Sequence, residues 1–370
     1  MAQPIQDKAT KKWSFSFDVY ENGKRKQIRR RGFKSKRDAL DALQELQQKV
    51  KEQEYVWSNS ETVSSFVQKW LETERKLECE EATYYNNQLY FKNHVQQTIG
   101  KIKLQTLDSL TCQKFVNKMH EKGYARNTIE RVTTMLKLAF DRAVVHRIIS
   151  QNPMRLVKLP KKIKRELKVW TAEEVRKFLE YTQDHRYFCI YALALFTGMR
   201  KGEILALRWR DIDFPNRMLY VNQTLVNYGK TIKTGAKTSS GVRAISIPES
   251  LIDILLEQKR KYIQLQQEIK EKFVDMDLVI FNLANGKQVF PANLTKTYIK
   301  HVKESGLPYI TFHALRHTHA TLLIEKNVNV KLISDRLGHS KISVTLDVYS
   351  HVTTSMQREV ADQIEQIISM

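Results

Sequence analysis

Leu195-Phe-Thr-Gly-Met-Arg-Lys-Gly-Glu-Ile-Leu-Ala-Leu-Arg-Trp-Arg-Asp-Ile-Asp213 is the stretch on which the reading of this chain turns. It closes an apolar run through Phe188 to Leu195, places Gly198 two residues before Arg200, and sets Glu203 one helical turn further on. An arginine at a helix start, beside backbone N–H groups that have no intrahelical partner, suits an anionic oxygen such as that of a phosphate. Taken singly, Arg200 also reads as a surface arginine and Glu203 as a capping carboxylate, so the rest of the chain has to decide.

Two further stretches bear on it. His313-Ala-Leu-Arg316-His317-Thr-His319 puts His313 and Arg316 on one helical face. Leu337-Gly-His339-Ser follows, and ten residues after His339 stands Tyr349. Six of the ten histidines fall between His301 and His351, a concentration that points to a site. His313 and His317 have the i, i+4 spacing of zinc ligands in HExxH, but the glutamate of that motif is absent and no third ligand is evident. His317 and His319 fit structural roles better than His313 does. The pairs Asp211/Asp213 and Asp275/Asp277 read as turn or cap residues, so no metal is expected. No Walker-type Gly-rich lysine loop occurs, so no nucleotide cofactor is expected.

Composition narrows the field. The chain has 370 residues, a formal charge of +22 and 42% hydrophobic residues, enough for two or three packed domains. No apolar run reaches the roughly 18–20 residues that span a bilayer, and residues 1–10 hold no apolar signal segment. Three scattered cysteines, Cys79, Cys112 and Cys189, form no disulfide or zinc framework. The expectation is a soluble cytoplasmic protein whose excess positive charge meets nucleic acid.

Three segments follow. Residues 1–56 open with alternation over Trp13 to Val19, an Asn22-Gly23 turn and a strand from Ile28 to Phe33. A helix capped by Ser35 comes next. Twelve Lys/Arg face two acids between Lys8 and Arg37. Residues 57–163 carry four amphipathic helices, over 60–77, 83–95, 111–121 and 125–145, which make a small bundle. The basic stretch Arg155 to Lys168, broken by Pro160, reads as an interdomain linker and not as a packed element. Residues 164–370 are mixed. Thr171 and Glu174 form a capping box, strands are expected at 218–222, near Thr231 and at 243–247, and helices at 249–270, 291–304, 313–326, 330–337 and 356–368.

Two arginines, two histidines and a tyrosine in this order resemble the tyrosine recombinase family, the integrases of phages and of integrative and conjugative elements. The resemblance covers nearly the whole chain. It implies a multidomain, mainly α fold with small β elements: an N-terminal three-stranded sheet plus helix, a helical core-binding bundle and a mixed α+β catalytic domain. It implies Tyr349 as nucleophile, giving a 3′-phosphotyrosyl bond, with Arg200 and Arg316 on the non-bridging oxygens, His313 and His339 assisting, and Glu203 in support. The family's hairpin lysine is best matched by Lys237, with Lys233 and Lys230 close by. It further implies arm-type DNA contacts from Lys24, Arg25, Lys26, Arg29, Arg30 and Arg31, and phosphate contacts from Lys161, Lys162, Lys164 and Arg165 in the linker. The partners implied are double-stranded DNA with core and arm sites, three further copies of the chain in a tetramer, and accessory bending or excision factors. An apolar stripe through Val360, Ile364, Ile367 and Ile368 marks a tail helix that packs either on a neighbour or on its own domain. Two other readings stand beside the recombinase: a type IB topoisomerase-like relaxing enzyme, and a non-catalytic DNA-binding regulator.

Overall fold

The structure is a computed structural model and describes residues 2–21, 24–51, 60–162, 167–235 and 242–339, with Ile342. Two units divide it, Met1–Ile163 and Lys164–Met370. Among the described residues no helix is long and apolar enough to cross a membrane.

The first unit opens with an antiparallel sheet of β1 (Ile5–Gln6), β2 (Trp13–Glu21) and β3 (Lys24–Phe33). Alternation in β2 turns Phe15 to one face, where it is buried with Ala39 and Leu43 of helix α1 (Lys36–Lys51). The Phe15 and Phe33 rings lie 5.5 Å apart. Ser35 caps α1 as expected, its Oγ accepting from the Asp38 amide at 3.0 Å. The expected Asn22-Gly23 turn lies outside the described residues.

The helical bundle uses α2 (Val63–Trp70), α3 (Lys76–Glu78), α4 (Glu81–Tyr90), α5 (Ser109–Glu121) and α6 (Arg126–Val145). Thr62 and Ser65 form a capping box on α2, and Asp108 caps α5. Val63, Phe66, Val67 and Trp70 of α2 pack against Ile129, Val132, Leu136 and Phe140 of α6. Burial of each such side chain is worth roughly 1.5–3 kcal/mol. Two π-turns, Leu71–Arg75 and Phe91–Val95, extend α2 and α4 without breaking the helical run. Glu74 in the first of them pairs with Arg142 and with His146 of the α6 end.

The basic stretch Arg155 to Lys168, expected to be an unpacked linker, is packed over its first residues: Val157 is buried in the bundle core. Gln113 donates to the Lys158 carbonyl at 3.1 Å and accepts from its amide at 2.8 Å, and Arg126 donates to the Pro160 carbonyl. Apolar residues interleaved with the basic ones pack inward while the cations stay outside. Lys161 and Lys162, by contrast, are exposed.

In the second unit, α7 (Ala172–Thr182) starts at the expected Thr171–Glu174 capping box. Helix α8 (Phe188–Thr197) is apolar all round and almost wholly buried, which makes it the centre of the domain. A short α9 (Lys201–Ala206) follows. Strands β4 (Ile212–Asp213), β5 (Met218–Val221) and β8 (Arg243–Ser246) form one antiparallel sheet, and β6 (Gln223–Val226) pairs with β7 (Thr231–Thr234) in a hairpin. The expected strands are present. The helix start expected at Arg200 is that of α9, whereas strands β4 and β6 are too short to show a period in the sequence. Helices α10 (Glu249–Ile269), α11 (Pro291–Glu304), α12 (Ala314–Ile324) and α13 (Val330–Leu337) complete the described domain. The tail helix expected at 356–368 lies outside it.

Candidate active site

The end of α8 builds the site. Gly198 takes a left-handed conformation, φ +65°, and stops the helix. A Cβ there would come within 2.5 Å of Leu337 Cδ2 and 2.8 Å of His319 Cδ2, so only glycine fits. The chain then turns, and Arg200 becomes the N-cap residue of α9. At Gly202 a Cβ would lie 2.7 Å from the Leu225 carbonyl oxygen, which explains how α9 can rest directly on the β6 backbone.

Glu203 binds back to Arg200 twice. Its Oε2 accepts from the Arg200 amide and its Oε1 from Arg200 Nη1, both at 2.8 Å. Arg243, at the start of β8, approaches the same carboxylate, with Nη2 2.9 Å from Oε2. Burial by itself would push this carboxyl up. The hydrogen bond and charge of Arg243, and then those of Arg200, outweigh it and hold Glu203 below the usual glutamate value.

Arg316 lies in the first turn of α12 and is 2% exposed. Its Nη1 donates to the Gly198 carbonyl at 2.7 Å and its Nη2 to the Leu337 carbonyl. Arg200 Nη2 donates to the next carbonyl along, that of Gly338, at 3.1 Å. The two arginines therefore converge on one turn of backbone, the C-cap of α13, and His339 leaves from that cap. Burial, and then the charge of Arg200, lower the Arg316 pKa; a guanidinium so held stays charged at neutral pH.

The histidines separate by environment. His339 is half-buried and pushed down to about 4 by burial, then by Arg316 and Arg200. His313 precedes α12, is exposed, and is lowered by desolvation and by the same two arginines. His317 rests edge-on against it with ring centroids 5.1 Å apart and is pushed down to about 4, first by burial. His319 is structural: Nδ1 meets the Leu195 carbonyl at 2.8 Å, so Nδ1 carries the proton and Nε2 accepts from Arg336 Nε at 3.3 Å. All four are held below the usual histidine value, which favours the neutral ring, and the positive field comes from the arginines.

Arg200, Glu203, His313, Arg316 and His339 are thus brought together. Lys237 and Tyr349 lie outside the described residues, as do Lys164 and Arg165. Lys230 and Lys233, at the turn and in the second strand of the β6–β7 hairpin, are exposed. Sequence reasoning missed Arg243 and Arg336. The signal for Arg243 was available: in Arg243-Ala-Ile-Ser-Ile247, residues 243, 245 and 247 share the core face, and an arginine there needs a buried partner. The two aspartate pairs are used locally. Asp211 holds Arg208 and Asn222, Asp213 the Asn216 turn, Asp275 the Tyr262 hydroxyl and Asp277 Arg210. Among the described residues no cluster of three or more His, Cys, Asp or Glu side chains is placed to hold a metal.

In the N-terminal sheet the register sorts the cations. Ser14 pairs with Arg31, Ser16 with Arg29 and Phe17 with Ile28. Arg25, Arg29 and Arg31 therefore share the face turned away from α1, whereas Lys26 and Arg30 have the parity of the core residue Ile28. Arg25 is tied to Asp18 at 2.8 Å. Lys24 is paired with Glu21 in the ladder.

Preorganised guanidinium groups around one buried carboxylate, with histidines beside them, are the equipment of phosphoryl transfer. The comparisons with known proteins agree. The phage integrase family profile matches residues 168–356, an N-terminal SAM-like phage integrase domain matches 62–120, and an arm DNA-binding domain matches 4–50. The chain is 30% identical over 327 residues to a XerC-like tyrosine recombinase of Caldanaerobacter subterraneus, covering 83% of each protein. It is 30% identical over 366 residues to the ICEBs1 integrase of Bacillus subtilis, covering 96% of each. The Tn1549 transposon integrase, solved with transposon right-end DNA, superposes with a TM-score of 0.69 over 82% of this chain and 99% of that one at 22% identity, a likeness of fold. This chain belongs to the phage integrase family. It is a site-specific tyrosine recombinase that cleaves and rejoins DNA, which decides against the relaxing-enzyme and regulator readings.

Proposed function

We propose that the chain integrates and excises a mobile element or prophage, using Tyr349 as the nucleophile. The phenolic oxygen attacks the scissile phosphorus while the P–O5′ bond breaks. Tyrosine gains a 3′-phosphoryl link, and the departing 5′ oxygen takes a proton from a general acid. Lys237 is assigned as that acid, with Lys233 and Lys230 its competitors. His313 assists proton transfer at the phenol, and His339 donates to a non-bridging oxygen. Arg200 and Arg316 hold the two non-bridging oxygens, with Glu203 supporting Arg200 from behind. The phosphotyrosyl bond conserves the phosphodiester energy, so rejoining needs only the attack of a 5′-hydroxyl.

The observation that supports this reading is the shared anchoring of Arg200 and Arg316 on the carbonyls of Gly338 and Leu337, one and two residues before His339. The wider reading assigns residues 1–56 to arm-type sites, 57–163 to clamping core-type double-stranded DNA, and 164–370 to catalysis. Lys161, Lys162, Lys164 and Arg165 follow phosphates between the last two. The active assembly is a homotetramer on two duplexes in the bacterial cytoplasm, with accessory bending or excision factors.

The test is a nicked suicide duplex spanning the attachment junction of the encoding element. The expected result is a covalent protein–DNA adduct that forms in EDTA without ATP and is absent in Tyr349→Phe. An adduct that survives this substitution, or one that demands a divalent metal, overturns the mechanism.

A further inference from the structure

Strand β8 begins with an arginine on its core face. The Arg243 side chain is 6% exposed, and its partner Glu203 is 7% exposed. Among the described residues its three nitrogens reach two segments. Nη1 and Nη2 reach the Glu203 carboxylate at 3.3 and 2.9 Å, and Nε donates to the Arg336 carbonyl at 2.7 Å. That carbonyl lies in the last turn of α13, three residues before His339. Arg336 reciprocates: its Nη1 donates to the Ser246 carbonyl of β8 at 3.0 Å and its Nη2 to the Phe196 carbonyl of α8 at 2.9 Å. The start of β8, the start of α9 and the end of α13 are thereby locked to one another.

The charges give the lock a consequence. A Glu203–Arg200 pair alone is neutral, and a carboxylate with no second cation would draw the whole of its attraction from Arg200. The second guanidinium shares that carboxylate, so the group of three carries a net positive charge and Arg200 Nη2 remains directed at the Gly338 turn. Arg243 has no role in the reaction as assigned above.

We propose that Arg243 is a positioning residue for DNA cleavage: it divides Glu203 with Arg200 and fixes the end of α13, so that Arg200 and His339 face the same phosphate. The proposal rests on the assignment of Arg200 and His339 to that phosphate. A lysine cannot replace it, because one ammonium cannot span both carboxylate oxygens and a carbonyl on another segment.

The experiment measures single-turnover adduct formation on the nicked duplex, and DNA affinity separately, for the full chain well below each variant's melting temperature. Arg243→Met is expected to slow adduct formation about 100-fold while changing Kd less than about 3-fold, the split of an interaction that orients the reacting groups. Arg243→Lys is expected to recover no more than about a tenth of the lost rate, and it carries the test if Arg243→Met does not fold. Combining Glu203→Gln with Arg243→Met should cost no more than the worse single change, since both break one unit. Rates near wild type, a loss confined to Kd, or additive losses overturn the proposal. Arg200→Lys is measured beside them. If it cleaves normally, the reading of the site falls and this proposal falls with it. If it is inactive while Arg243→Met is active, this proposal alone falls.

Discussion

Arginine is used in opposite ways at the two ends of this molecule. On the N-terminal sheet, Arg29 and Arg31 are exposed and lie opposite Ser16 and Ser14 in the ladder. In the catalytic domain, Arg316 is 2% exposed and fixed by two carbonyls, and Arg243 is buried against Glu203. An exposed cation attracts phosphates over a distance set by salt and adjusts to what it meets. A buried one has been desolvated and oriented during folding, so it meets a developing charge without reorganisation. The first kind of arginine supplies affinity, the second geometry.

The largest expected effect tests the second half of that contrast. Arg316→Ala should lower single-turnover cleavage by on the order of 1,000-fold, with DNA affinity much less affected, read as adduct formation against a filter-binding isotherm. An equal loss in both would make Arg316 a gripping residue like those of the sheet.

The pH dependence of stability is next. His319 is buried, and its pKa is pushed down from 6.5 to about 4, first by burial. The folded state therefore binds fewer protons than the unfolded state between these values. The stabilisation is complete above about pH 6.5 and is lost as the pH falls toward 4, at a cost on the order of 3 kcal/mol. Thermal melts of the wild type should fall across that window, and those of His319→Asn should fall less steeply. Parallel slopes would remove His319 as the cause.

The smallest effect sharpens the first half. Arg29→Ala and Arg31→Ala should each reduce the slope of log affinity against log salt on arm-site DNA by about one, and leave cleavage at core sites unchanged. Arg30→Ala, of opposite parity, should change arm-site binding less. Equal effects at all three would mean that the sheet face does not sort the contacts.

Much of this architecture was legible in the chain. Helices with a full apolar stripe, such as α6, or with a capping box, such as the Thr171-started α7, appear where period and cap put them, because burial or local hydrogen bonding already favours them there. Strands of two to four residues are not legible in this way; β4 and β6 exist because neighbours pair with them. The basic stretch from Arg155 departs from expectation for a related reason: among its many cations Val157 follows the core. Arg243 was overlooked because motif matching looks for known boxes, whereas the parity of its strand already marked it as a charge in need of a partner.

The sequence by itself determined the family, the order of the three segments, the helical periods and the residue types at the site, since these depend on spacing along the chain. Only the tertiary structure decided which side of the N-terminal sheet bears Arg29 and Arg31, that the His319 ring is held by the Leu195 carbonyl, and that Arg200 and Arg316 share one turn of backbone. Those outcomes join residues more than a hundred positions apart, or set a strand's facing by its partner's register. Burial and hydrogen-bond geometry fix such relations only once the chain has closed on itself.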